Sequence, residues 1–180
     1  MRLLTQHLTS TEDRPVLPFE WAPLIRNFMR GEGPAQERAR ELAKQGERFP
    51  IFLAPSLWLP ALEHLSGKEH LLVDGVPRHR IEAELFDSLL RFYKRAPVHV
   101  VHLDIPEDIA AERLVARGRE EGREDDMTDE AIERRLEWYM TDTLPLLDYF
   151  GAKEHYRIHG IDGTQSREAI AEAVDVAVQS

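Results

Sequence analysis

The chain has 180 residues, of which 42% are hydrophobic and 31% are charged, and its formal net charge is −10. That length predicts one domain with a single core, and the acidic balance argues against a general nucleic-acid or membrane-surface binder, because such proteins present a basic face. The absence of cysteine excludes disulfides and thiolate metal sites. No apolar stretch approaches the roughly 20 residues of a membrane helix, and no signal peptide is visible. We therefore expect a soluble cytoplasmic domain.

The N-terminal third is predicted to be mainly helical. Apolar residues at helical spacing indicate helices at 2–8, 19–29 and 34–44, with a polar, proline-marked stretch at 9–18. Residues 49–65 are also apolar at helical spacing, but Pro55 and Pro60 would kink or end a helix there.

Strands and helices alternate after residue 70. Short apolar strands at 70–74 and 98–104 end in Asp74 and Asp104, and helical patterns follow at 79–92 and 106–116. Thr128 is a candidate N-cap for a long helix at 128–150, which precedes a strand at 156–161 and a helix at 166–178. The alternation predicts parallel βαβ units covered by helices.

The segment Asp74-Gly75-Val76-Pro77-Arg78 leaves the carboxyl end of a strand, where open α/β sheets bind ligands. Its aspartate could hold water on a magnesium ion, and its arginine could bind a phosphate. The alternative is a turn that uses Asp, Gly and Pro for geometry alone.

An arginine-rich segment follows the second strand–helix unit, with the spacing Arg113-x3-Arg117-Gly118-x3-Gly122-Arg123-x-Asp-Asp. The first two arginines share a helix face, and the glycines permit a hinge and close approach to a ligand. The arginine fork suits phosphate oxygens. Neighbouring glutamates offer the alternative of plain surface ion pairs.

These two segments, together with Ile-Glu-Arg-Arg-Leu-Glu-Trp-Tyr at 132–139, resemble the adenylate kinase family of nucleoside-monophosphate kinases in its short-lid form. The resemblance implies an α/β, P-loop-kinase-like, three-layer fold around a parallel sheet of order 2-3-1-4-5. It implies one domain over 1–180, with monophosphate-binding helices at 19–65, a lid at 117–127 and the remainder as core.

The activity implied by the resemblance is transfer of the γ-phosphoryl group of Mg-ATP to a nucleoside monophosphate, by a monomer. Its partners would be nucleoside mono- and triphosphates. The residues that it assigns are Arg26 and Arg78 for the acceptor phosphate; Arg113, Arg117, Arg123 and Arg135 for the transferring group; Asp74 and Asp104 for magnesium-bound water; Glu82 at the base-reading position; and Gly163 in a loop along the ATP adenine.

Two positions depart from the family pattern. Trp21 stands where the family has a threonine that touches the base, and Glu82 stands where it has a glutamine that reads adenine. A carboxylate accepts hydrogen bonds but cannot donate them. It would suit a guanine edge or an exocyclic amine, or it reads no base, so we expect no standard adenine pocket.

The family's Walker A loop and the strand before it have no counterpart in the sequence, and residues 1–8 resemble the helix that follows that loop. The loss would leave the strands at 70–74 and 98–104 facing a gap with unpaired backbone. We expect either an N-terminally truncated kinase or a pseudokinase that serves as a nucleotide-binding or protein-interaction module. A third alternative is a scaffold whose lid arginines form surface ion pairs.

Overall fold

The computed structural model describes Thr5, residues 14–121 and residues 128–179. The helix predicted at 2–8, Thr5 apart, lies outside the described residues, and so does the lid segment at 122–127 with Arg123. No helix within the described ranges is long and apolar enough to cross a membrane.

Helices and strands alternate along the described chain. Their order is β1 (Val16–Glu20), α1 (Trp21–Met29), α2 (Pro34–Lys44), α3 (Leu53–Ala61), β2 (His70–Asp74), α4 (Arg80–Phe92), β3 (Val98–Asp104), α5 (Glu107–Glu121), α6 (Asp129–Trp138), a π-helical turn (Tyr139–Thr143), α7 (Leu146–Gly151), β4 (Tyr156–Asp162) and α8 (Arg167–Gln179).

The strands form two parallel pairs. β1 pairs with β2 from Val16↔His70 to Glu20↔Asp74, and β3 pairs with β4 in the same way, ending at Asp104↔Asp162. No ladder joins β2 to β3 within the described residues. The parallel pairing predicted from the strand–helix alternation is therefore confirmed, and the described strands form two separate two-stranded sheets.

β1 corrects the sequence-based prediction, which placed residues 16–18 in a loop and began a helix at 19. Pro18 indicated a break, but a proline is tolerated in an edge strand because its missing N–H can face away from the ladder. Phe19 turns into the core with 8% of its surface exposed. The strand exists because it pairs with β2, which a local pattern cannot reveal.

The long helix predicted at 128–150 is also wrong as one element. It begins as predicted, since the Thr128 hydroxyl accepts a hydrogen bond from the Ala131 N–H at 3.2 Å. It then widens into the π-helical turn at Tyr139–Thr143 and restarts as α7 after Pro145. Proline cannot donate the backbone hydrogen bond of a helix interior, so the element divides before it.

The main core lies where α1, α3, α4 and α7 meet the first strand pair. Trp58 and Ala83 are fully buried, and the Trp58 ring meets Phe86 edge to face at 5.6 Å. Such a contact adds to the stabilisation from burial of the two rings. The helices therefore hold β2, and the turn that follows it, in place.

A buried carboxylate fixes α4 against the turn before β4. Asp87 is 1% exposed and accepts hydrogen bonds from Lys153 Nζ at 2.8 Å and His155 Nε2 at 2.9 Å. Burial opposes its ionisation, but these hydrogen bonds hold the pKa of Asp87 below its usual range. A buried charge with several donors is a structural device, and it anchors the start of β4.

Candidate functional site

A cavity of about 960 Å³ opens where the parallel strands end. Its wall includes residues that follow each of the four strands: Trp21 after β1, Gly75 after β2, Ile105 after β3 and Gln165 after β4. The carboxyl ends of parallel strands are the usual ligand site of open α/β sheets. The sheet topology alone therefore explains why the cavity lies here.

The cavity wall is rich in arginine, although the chain as a whole is acidic. Among the described residues, the charged groups of its lining are Arg48, Arg78, Arg113, Arg117, Arg134, Arg135, Arg167, Glu47, Glu82, Glu120 and Asp142. Seven guanidinium groups and four carboxylates thus line the cavity, which gives its wall a net positive charge. A positive cavity in a negative protein attracts anions locally.

Arg78 is held in the wall by its own turn. Its Nε donates to the Gly75 carbonyl at 2.8 Å, and its backbone N–H donates to Glu82 Oε2 at 2.9 Å. Gly75 has φ of +86°, and a Cβ there would lie 3.0 Å from the Trp21 Cβ. Glycine is therefore required in this turn for both its conformation and its contact.

The electrostatic surroundings of Arg78 favour an anion. Burial lowers the pKa of Arg78, and the nearby positive charges of Arg135 and Arg117 lower it further, while Glu82 and Asp74 act in the opposite direction. Arg78, Arg117 and Arg135 also line the same cavity. A phosphate bound there would accept hydrogen bonds from the arginine forks.

Arg113 links the cavity to the loop after β4. Its Nη1 donates to the Gly163 carbonyl at 2.6 Å and its Nη2 to the Thr164 carbonyl at 3.2 Å. The Gly163 N–H donates to the Asp104 carbonyl at 2.8 Å, and a Cβ at Gly163 would lie 2.5 Å from Ile105 Cγ1. The loop that the resemblance assigns to the ATP adenine is thus fixed between β3 and α5.

The predicted site residues that the structure describes, which exclude Arg123, divide into two groups. Those in the cavity lining are Arg78, Glu82, Arg113, Arg117 and Arg135. Those described but outside the lining are Arg26, Asp74, Asp104 and Gly163, of which the first three are exposed. The structure thus brings most of the predicted phosphate-binding arginines together, and it separates Arg26 from them.

Asp74 and Asp104 end strands of different pairs. Exposed carboxylates at strand ends fit the oxygen chemistry of a hydrated magnesium ion. No group of three or more His, Asp and Glu side chains in the described ranges could hold a metal directly. The predicted role, which acts through water, stays a prediction.

The π-helical turn supplies contacts that the sequence analysis missed. Arg48 forms an ion pair with Asp142, and its guanidinium carbon lies 4.7 Å from the centroid of the Trp138 ring. Asp142 Oδ2 is 3.8 Å from His79 Nδ1, and the Thr143 hydroxyl donates to the Arg78 carbonyl at 3.4 Å. The π-helical turn therefore supports the Arg78 turn from the other side. Isolated residues such as these carry no sequence pattern.

Tyr139 begins the π-helical turn and faces the end of β3. Its hydroxyl lies 2.5 Å from His102 Nε2, with the two rings nearly parallel. Burial and the nearby Asp104 carboxylate raise the pKa of Tyr139, so its hydroxyl is neutral at physiological pH. The contact joins β3 to the wall that carries Arg135.

Comparisons with known proteins agree with the geometry. A family model described as adenylate kinase matches residues 20–155. Adenylate kinase 1 of Nostoc sp. is 32% identical over 157 residues, which cover 87% of this chain and 82% of that protein. The adenylate kinases of Synechococcus sp. and Porphyromonas gingivalis are each 30% identical, over 87% and 82% of this chain and 79% and 75% of their own lengths.

Proposed function

The chain belongs to the adenylate kinase family, and we propose that its cavity binds a nucleoside monophosphate and Mg-ATP and transfers the γ-phosphoryl group between them. The observation that carries the proposal is that Arg78, Arg117 and Arg135, from three different elements, line one cavity at the strand ends. Guanidinium groups that line one cavity favour a bound phosphate, because each presents a planar fork of donors to its oxygens.

Phosphoryl transfer depends on positioning and charge neutralisation more than on a covalent nucleophile. Arg78, fixed by Gly75, would hold the acceptor phosphate. Arg117 on α5 and Arg135 on α6 approach from other elements, so they would neutralise charge on the transferring group. Magnesium, held with the ATP phosphates and near Asp74 and Asp104, would add further neutralisation.

A second candidate is a nucleotide-binding module without phosphoryl transfer. Two observations favour it. The 180 residues contain no glycine-rich Walker A loop, which in the family cradles the β- and γ-phosphates. The described strands also leave β2 and β3 unpaired with each other. Nucleotide binding is common to both candidates, and turnover by the chain to which such a loop has been fused separates them.

The substitution Arg78→Ala should weaken binding of nucleoside monophosphates by about 1.5–3 kcal/mol, roughly 10- to 150-fold, the scale of hydrogen bonds to a charged group. Isothermal titration calorimetry with AMP and GMP measures the change. The matched control is Arg80→Ala, because Arg80 is 64% exposed, pairs with Glu84 and lies outside the cavity lining.

The control should bind both monophosphates as the wild type does. An equal loss of monophosphate affinity in Arg78→Ala and Arg80→Ala would indicate a general effect of charge and not a phosphate site at Arg78. Circular dichroism of both variants checks that each keeps the secondary structure of the wild type.

A further inference from the structure

Arg48 is held in a fixed orientation on the cavity wall. It lies between α2 and α3, and its side chain reaches α6 and the π-helical turn, where Nη1 pairs with Asp142 and the guanidinium lies over the Trp138 ring. The Nε and Nη2 groups form no hydrogen bond with another described residue. An arginine fixed on two sides, with donors remaining, is suited to planar and bidentate recognition.

Glu82 provides an acceptor on the same wall. It is 4% exposed, and its Oε2 accepts the Arg78 backbone N–H, whereas its Oε1 accepts no hydrogen bond from a described residue. His79, the next residue after Arg78, contacts Asp142, which is the ion-pair partner of Arg48. The fork of Arg48 and the carboxylate of Glu82 are therefore linked through one short turn.

The two groups together match the edges of guanine. Its O6 and N7 are adjacent acceptors that fit an arginine fork, and its N1–H and N2 amino group are donors that fit a carboxylate. Adenine carries an amino group where guanine carries O6, so arginine donors would meet a donor. Cytosine and uracil lack the O6 and N7 pair. Trp21, Phe49 and Ala54 add apolar surface to the same cavity for the base.

We infer that Arg48, with Glu82, determines the specificity of the monophosphate site, and that the acceptor is an oxopurine nucleotide, GMP before AMP. The inference rests on the proposed function and names the substrate class of the same cavity. Asp142 and Trp138 act on specificity by orienting the Arg48 fork.

The test is calorimetric titration of GMP, IMP, AMP and UMP into the wild type, Arg48→Lys and Arg48→Ala. The wild type should bind GMP about 5- to 150-fold more tightly than AMP, the range of one good bidentate pair. IMP, which lacks the N2 amino group, should bind between the two. Arg48→Lys keeps the charge and loses the fork, so it should lose most of the preference while its AMP affinity changes by less than about 3-fold.

The matched control is Arg38→Ala, because Arg38 is 64% exposed, pairs with Glu41 and lies outside the cavity lining. It should keep the wild-type ranking. Equal wild-type affinities for GMP and AMP, or a preference that survives Arg48→Lys, would overturn the inference and leave the proposed function standing if Arg78→Ala still weakens every monophosphate. The absence of binding by any nucleotide would overturn both. If an Arg48 variant does not fold, the relative affinities of the wild type for GMP, IMP, AMP and UMP test the inference by themselves.

Discussion

Fusion of a β-strand and a glycine-rich GxxGxGK loop to the N-terminus should raise phosphoryl transfer from ATP by at least about 10³-fold over the 180-residue chain. Loss of a single preorganised donor costs a phosphate or oxyanion site about 10²–10³ in rate, and a Walker A loop supplies several backbone donors and a lysine. Among the described strands, β2 and β3 are not paired with each other, and the sheet order 2-3-1-4-5 that the family resemblance implies would place the added strand between them.

A coupled assay of diphosphate formation, with several monophosphates as acceptors, measures this effect. The control is the same fusion with the loop lysine replaced by alanine, which should lose most of the gain. Robust turnover by the unfused chain would contradict the prediction. A fusion that binds nucleotides and stays inactive would favour the non-catalytic module.

The substitution Asp87→Ala should lower the free energy of unfolding by about 2–4 kcal/mol, because it removes the acceptor of two hydrogen-bonded donors next to the buried Tyr156. The side chains of Lys153 and His155 are 26% and 28% exposed, so water recovers part of the loss. Urea unfolding at neutral pH measures the change.

The pH dependence of unfolding provides an independent check on Asp87. Because the folded-state pKa is lowered, its stabilisation is fully present above the unfolded aspartate pKa of about 3.9 and is lost as the pH falls through the folded value. The variant should therefore lose less stability than the wild type on acidification below that pH. The control Arg38→Ala, whose side chain is 64% exposed and pairs with Glu41, should change stability by less than about 0.5 kcal/mol.

If Asp87→Ala lowers the free energy of unfolding by less than about 1 kcal/mol, apolar packing alone holds α4 against the start of β4.

Elements with a strong local pattern were predicted well from the sequence. The strands that end in Asp74 and Asp104 have the predicted limits, and Thr128 caps α6 as expected. Their residues determine the element through local physical chemistry, namely a short apolar run or a hydroxyl that accepts a backbone N–H. β1 and the π-helical turn were missed because pairing and packing at long range decide them.

The residues of the candidate site also divide into those that belong to a sequence motif and those that only the fold brings together. Arginines in motifs, such as Arg78 and Arg117, were found because their spacing resembles that of a family. Arg48 and Asp142 were not found, because each is an ordinary charged residue until the fold brings the two together. The family resemblance assigned Glu82 to base reading, and only the structure shows that one of its oxygens already accepts the Arg78 N–H.

The most direct test of the central claim, that this cavity is a nucleotide phosphate site, is calorimetric titration of a bisubstrate nucleotide with adenosine and guanosine joined by five phosphates. We expect one ligand per chain with a Kd below about 100 μM, equivalent to about −5.5 kcal/mol. Arg78→Ala and Arg135→Ala should each weaken it, and Arg80→Ala should not. Absence of saturable heat at about 1 mM ligand, or equal affinity in all four proteins, would contradict the claim.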